Sequence, residues 1–221
     1  MTPQRGLLLT LILLACDPGS PGSFPPEDPA LAQDNERAGD PHRGRFPFAE
    51  AVAGLPESGP LHATIVTDEG EIHCRLFADV APLSVANFVG LARGLRPFFD
   101  PATGAWTTRP YYDGLSFHRA IERQFVQGGR LDDSGSVGFR LQDEISIGSA
   151  FDKPGVLALA NEGRANSGAA EFFISTAVLR ELDGKYTIIG RCDDELIVRA
   201  IEARVLAGER PVIETVTITR E

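Results

Sequence analysis

From residue 61 onward the chain is a succession of short β-patterned runs separated by turns, and few architectures accommodate such a pattern. Residues 61–67 (LHATIVT) and 71–77 (EIHCRLF) flank Asp68, Glu69 and Gly70. In the second run Ile72, Cys74 and Leu76 alternate with Glu71, His73 and Arg75, the period of a strand with one buried face. The pair is predicted to form a hairpin. Further strand-like runs follow at 115–119, 125–129, 155–160, 171–176, 187–191 and 212–219. Two helical patterns interrupt them. Pro82 opens the first, where Val85, Phe88, Val89 and Ala92 recur at helical spacing before Arg93 and Gly94, so one face is expected to be buried. The second spans 194–204, with Ile197, Ala200 and Ile201 as its apolar stripe and Asp193 or Asp194 as cap. Eight strands and two helices without βαβ alternation predict a mainly β fold, a closed eight-stranded antiparallel β-barrel capped by two α-helices.

The 43% hydrophobic content of these 221 residues suffices for a proper core. A net charge of -10 argues against a nucleic-acid partner, because gripping a phosphate backbone needs a basic face. The four histidines and three cysteines show neither CxxC nor HxxxH spacing, so no metal site is expected.

The N-terminus has a different character. Arg5 precedes the apolar run GLLLTLILLA (6–15), too short to cross a bilayer, and Ala15 offers the small residue before a cleavage point. Residues 1–15 are therefore expected to be an export signal. LLAC at 13–16 resembles a bacterial lipobox, which would make Cys16 the acylated N-terminus and the membrane anchor of a lipoprotein facing the periplasm or cell exterior. Ordinary secretion, with Cys16 incidental, is the alternative. Residues 16–58 are rich in Pro, Gly and acids and lack a sustained apolar period, so they read as a tether, with a helical turn or two in FPFAEAVAGL (46–55). Treated as a flexible coil of roughly 40 residues, it would hold the folded part, residues 59–221, about 35 Å from the anchor. Export would permit a disulfide between Cys74 and Cys192, but buried free thiols fit the spacing equally well.

Four ordered motifs carry a resemblance. FHRAIERQFVQGG (117–129), FDKPGVLALAN (151–161), NEGRANSGAAEFFIST (161–176) and LDGKYTIIG (182–190) together resemble the cyclophilin family of peptidyl-prolyl cis-trans isomerases. That family's eight-stranded barrel with two helices agrees with the count reached from patterning. The resemblance implies proline-containing polypeptide segments as partners, a monomer, and catalysis without a cofactor. It makes Arg119 the donor to the prolyl nitrogen and Gln127 the group that orients it. Phe125, Phe173 and Leu182 match the family's proline pocket, Ala160 and Asn161 its backbone-binding edge, and Tyr186 the position near the ring. His118 is expected to make a structural hydrogen bond, since bond rotation moves no proton.

Three positions depart from the family. Gln124 precedes Phe125 where an aromatic followed by an aliphatic residue is usual, Glu171 replaces a glutamine, and Glu181 replaces a tryptophan or histidine before Leu182. Glu171 would either pair with Arg119 or favour peptides with a basic residue near proline. If these substitutions spoil turnover, the chain becomes a module that docks proline peptides without rotating them. Residues 95–110 form a longer connection than compact members have, with Trp106 expected to pack structurally.

Overall fold

A computed structural model describes residues 21–221. The expected export signal and the expected acylation site, Cys16, lie outside the described residues. In chain order the elements are α1 (Pro29–Ala38), α2 (Phe48–Ala51), β1 (Leu61–Thr67), β2 (Gly70–Leu76), α3 (Pro82–Ala92), β3 (Phe98–Asp100) and β4 (Ala105–Thr107). They continue with β5 (Phe117–Ile121), β6 (Phe125–Gly128), β7 (Val156–Leu159), β8 (Phe172–Ser175), β9 (Ile188–Cys192), α4 (Glu195–Leu206) and β10 (Ile213–Arg220). A 3₁₀ turn covers Arg180–Leu182.

All eight expected strands form one antiparallel sheet in the order β10-β1-β2-β9-β7-β8-β6-β5. The expected closure is incomplete. The outer strands meet through a single bridge, Ser116 with Val212, and flanking bonds such as Ile213 N–H to Leu115 C=O (2.7 Å) and Phe117 N–H to Pro211 C=O (2.9 Å). The edges are therefore stitched at one point rather than laddered. Within the long 95–110 connection, β3 and β4 make a separate two-stranded hairpin. Trp106 packs there against Phe99 and over Gly39 and Gly138, a structural position as expected.

Side chains on the inner face of the sheet, among them Ile65, Ile72, Phe117, Phe172 and Ile174, form the main core with Phe88 of α3. A disulfide joins Cys74 and Cys192, opposite each other on β2 and β9, so these two cysteines are bonded rather than free thiols. Asp194 stands at the α4 N-cap, yet its carboxylate accepts no bond from its own helix. It takes the His73 N–H at 2.6 Å instead, tying α4 to β2.

The tether reading of residues 16–58 does not hold for the part described. Asp28 caps α1 by accepting from Ala30 N–H and Leu31 N–H, and Gly39 ends the helix in the left-handed region at φ 91°. Beyond it, Asp40 and Arg96 form a bidentate pair, both bonds 2.7 Å, with neither side chain exposed. Arg93 donates to the carbonyls of Ala51 and Ala53. Phe46 and Ala51 belong to the main core. The segment thus covers the side of α3 turned away from the sheet, and every residue of that helix is buried rather than one face. The helix PLSVANFVGLA carries no charge to offer water, and a helix apolar all round needs a cover on each side.

Candidate functional site

Side chains directly opposite each other on neighbouring strands share a face of the sheet. Arg119 of β5 stands opposite Gln127 of β6, Gln127 opposite Phe173 of β8, and Phe173 opposite Ala158 of β7. This row runs along the outer face, away from the main core. Phe125, two residues before Gln127, joins the same face. Consecutive Phe172 and Phe173 point to opposite sides: Phe172 meets Phe88, Tyr112 and Phe117, whereas Phe173 meets Phe125, Phe151 and Tyr186.

Strict alternation would put Phe117 and Arg119 on one face. A β-bulge separates them, because Phe117 pairs with Gly128 while Arg119 pairs with the very next residue, Gln127. Phe117 can then fill the core while Arg119 faces outward. The extra residue is His118.

Gln127, only 7% exposed, makes two side-chain bonds. Its Oε1 accepts from Arg119 Nη1 at 3.0 Å, and its Nε2 donates to Glu171 Oε2 at 2.7 Å. Glu171 Oε1 accepts from Arg130 Nε at 3.0 Å. His118 Nε2 lies 3.3 Å from Glu171 Oε2, a close contact without hydrogen-bond alignment. Burial alone would raise the Glu171 carboxyl, but its contacts with His118, Arg130 and Gln127 outweigh burial and hold it below the usual carboxylate range. Glu171 therefore does not pair with Arg119. Among the described residues Arg119 has no carboxylate within ion-pair distance, and its guanidinium lies over the Phe125 ring, 5.0 Å from the centroid.

Beside the guanidinium, Phe125 and Phe173 have ring centroids 5.2 Å apart, Phe151 stacks on Phe173 at 5.7 Å, and Tyr186 meets Phe173 edge-on at 5.1 Å. Leu182 and Ala160 pack against the same cluster. Phe151 is a site neighbour that the sequence does not single out; its only signal is its place at the head of FDKPG. Asn161 uses its side chain locally, donating to Lys185 C=O and accepting from Gly163 N–H, both at 3.0 Å. Gln124 sits at the β5–β6 turn, where its carbonyl accepts from Thr176 N–H at 2.7 Å. Glu181 is exposed on the 3₁₀ turn and does not join the cluster. A cavity of about 220 Å³ opens on the other side of Gln127, walled by Arg130, Ala160, Asn161, Ala169 and Glu171.

Residues 62–220 match the family model described as cyclophilin type peptidyl-prolyl cis-trans isomerase/CLD. The chain belongs to this family. Peptidyl-prolyl cis-trans isomerase A of Mycobacterium tuberculosis is 37% identical over 167 residues, covering 71% of this chain and 91% of the relative. Peptidyl-prolyl cis-trans isomerase B of Streptomyces anulatus is 36% identical over 153 residues, covering 68% and 87%. A cyclophilin type isomerase from Cryptosporidium parvum, solved in the presence of the dipeptide Ala-Pro, superposes with a TM-score of 0.58 at 25% identity, covering 72% of this chain and 99% of that one. The cyclophilin-type domain accounts for the sheet, α3 and α4. The packed segment before residue 62 lies outside the family model.

Proposed function

We propose that this chain accelerates rotation about X-Pro bonds in exported polypeptides and thereby assists their folding. The observation that carries the reading is the Arg119 guanidinium, held by Gln127, unmatched by any carboxylate among the described residues, and flanked by an aromatic cluster. In a planar amide the nitrogen lone pair is delocalised, which gives a barrier of about 18–20 kcal/mol. Twisting the bond localises that pair, so a donor placed there stabilises the twisted state and not the planar one. Arginine stays charged at working pH and its donor fork is rigid. A bond to a charged group is worth about 1.5–3 kcal/mol, which corresponds to roughly ten- to a hundredfold in rate.

Phe125, Phe151, Phe173, Leu182 and Tyr186 supply the apolar surface for the pyrrolidine ring while the preceding carbonyl swings. The main-chain N–H and C=O of Asn161 have no partner among the described residues, which supports pairing with the client backbone. Rotation makes and breaks no covalent bond and transfers no proton or electron, so neither His118 nor Glu171 is needed as acid or base. Glu171 instead holds Gln127, and His118 lies against Glu171. A proline peptide as partner draws support from the Cryptosporidium parvum isomerase, solved in the presence of Ala-Pro.

Export rests on the signal-like residues 1–15 and draws support from the Cys74–Cys192 disulfide, a bond that persists in oxidising compartments. Cys16 would carry the lipid. Exchange NMR on a short Ala-Pro peptide tests the activity: Arg119→Ala should lower the exchange rate about ten- to a hundredfold. Equal line broadening for wild type and variant would remove Arg119 from the reaction. Incorporation of labelled palmitate, lost in Cys16→Ser, tests the anchor.

A further inference from the structure

Arg75 and Arg191 stand directly opposite each other on β2 and β9. Their neighbours Cys74 and Cys192 turn into the main core, so both arginines leave from the outer face of the sheet. His62 of β1 is the next member of that row, opposite Arg75. Like charges directly opposite on neighbouring strands destabilise a sheet, yet a protein of net charge -10 collects bases here.

Only one of the two arginines is matched. Arg191 Nη2 donates to Asp152 Oδ1 at 2.8 Å, and this bond is the main cause holding the Asp152 carboxyl below its usual range. Arg191 Nη1 is covered and has no hydrogen-bond partner among the described residues, an unfavourable state for a donor. Arg75 is exposed and, among the described residues, makes neither an ion pair nor a side-chain hydrogen bond.

The pair lines a cavity of about 350 Å³ together with Phe77, Asp79, Asp152 and Ile188. It shares no lining residue with the cavity beside Gln127. Its back is apolar, because Phe77 and Ile188 also pack with the Phe173 cluster. Of its two acids, Asp152 is committed to Arg191 and Asp79 stands exposed. Gly148 and Ser149 complete the rim, on a loop that also exposes Ile145 and, fully, Ile147. Two guanidinium forks on residues about 5 Å apart at Cβ suit a tetrahedral oxyanion, which can accept from both.

The path of the chain favours one source of that oxyanion. Gly22 N–H donates to Ala78 C=O at 2.9 Å, between the cavity-lining Phe77 and Asp79. The residues leading back to Cys16 therefore depart from the rim of this cavity. On the export and anchor reading above, on which this inference rests, the rim faces a bilayer. A basic cavity beside an exposed aliphatic loop complements such a surface, charge against headgroup and Ile147 against the acyl boundary. We propose that this cavity binds the phosphate of an anionic phospholipid, with Arg75 and Arg191 donating to its oxygens and Ile147 entering the acyl boundary.

The test is vesicle sedimentation of the full chain carrying Cys16→Ser, so that no attached acyl chain contributes. The quantity read is the affinity for vesicles of equal parts phosphatidylcholine and phosphatidylglycerol divided by that for phosphatidylcholine alone, which removes any contribution common to all variants. Arg75→Gln should lower this ratio about fivefold, and Arg75→Gln with Arg191→Gln about thirtyfold. Ile147→Asp, at a fully exposed position where the fold does not depend on the side chain, should lower it about fivefold or more. Arg199→Gln removes the same charge from α4 and should leave the ratio unchanged. A ratio equal in the parent chain and the double variant, or an equal fall in Arg199→Gln, overturns the site. Stabilisation by inorganic phosphate with no preference between the vesicles assigns the cavity to a free anion and overturns the lipid. Vesicle preference without palmitate incorporation in the wild type keeps the site and sinks the anchor. Incorporation without preference does the reverse.

Discussion

Asp40 and Arg96 meet through two 2.7 Å hydrogen bonds with both side chains fully buried, joining the N-terminal segment to the chain just beyond α3. The Arg96 guanidinium also lies over the Phe139 ring at 3.9 Å, and Asp40 accepts from the N–H groups of His42 and Gly44. Removing one partner strands the other charge without water. Asp40→Ala should therefore cost about 3–5 kcal/mol in urea unfolding. Trp106, the only tryptophan, packs over Gly39, so its emission should shift to the red as the segment detaches.

Gln127 connects Arg119 to Glu171, and its replacement removes both bonds. Gln127→Ala should lower kcat/KM on an Ala-Pro peptide by about tenfold, because the guanidinium loses the group that aims it. If Gln127 acts only through Arg119, the double variant with Arg119→Ala should be no slower than Arg119→Ala alone. Additive losses would give Gln127 a contact of its own with the client.

The lowered carboxyl of Glu171 sets an acid limit. Its folded value lies below its ordinary value of 4.5, so its stabilising contribution is complete above that value and is lost as pH falls through the depressed one. Wild-type isomerase activity should therefore stay level from neutral pH down to about 5. Glu171→Gln should remove the Glu171 share of the acid-dependent loss of stability, leaving that of other lowered carboxyls such as Asp68 and Asp152. It should also weaken the hold on Arg130 and leave no preference for Lys over Asp beside proline, since the carboxylate is already committed to Arg130 and Gln127.

Cys74 and Cys192, 118 residues apart in sequence, are bonded between two strands already paired in the sheet. Reduction with dithiothreitol, or a paired Cys→Ser replacement, should lower stability by about 2–5 kcal/mol through the entropy returned to the unfolded chain. A lower urea midpoint with a steeper slope is the expected signature, because the unfolded chain released from the crosslink exposes more surface.

The sheet is legible in the sequence because its strands are short, alternating and bounded by turn residues, and the four motifs carry Arg119, Gln127 and the aromatic cluster with them. The helix at Pro82–Ala92 holds a subtler clue. Its four-residue apolar period describes one buried face, yet no charged residue marks another, and the cover comes from residues whose Pro and Gly content suggests coil. Composition fails there because α1 is stabilised by tertiary bonds from Asn35 and Asp28 rather than by its own apolar stripe. The bulge at His118 leaves one trace, two large side chains in the same phase with incompatible needs. The partner of Glu171 depends on Arg130, which directly follows a glycine pair and obeys no periodic rule.

Among the described residues, the first backbone contact in chain order is made by Gly22, whose N–H donates to Ala78 C=O at 2.9 Å. Were Cys16 embedded in lipid, only residues 17–21 would separate it from that point, a reach of about 21 Å even when fully stretched. If that anchor is present, a leash so short would hold the folded head against the bilayer surface instead of letting it sweep the surrounding fluid.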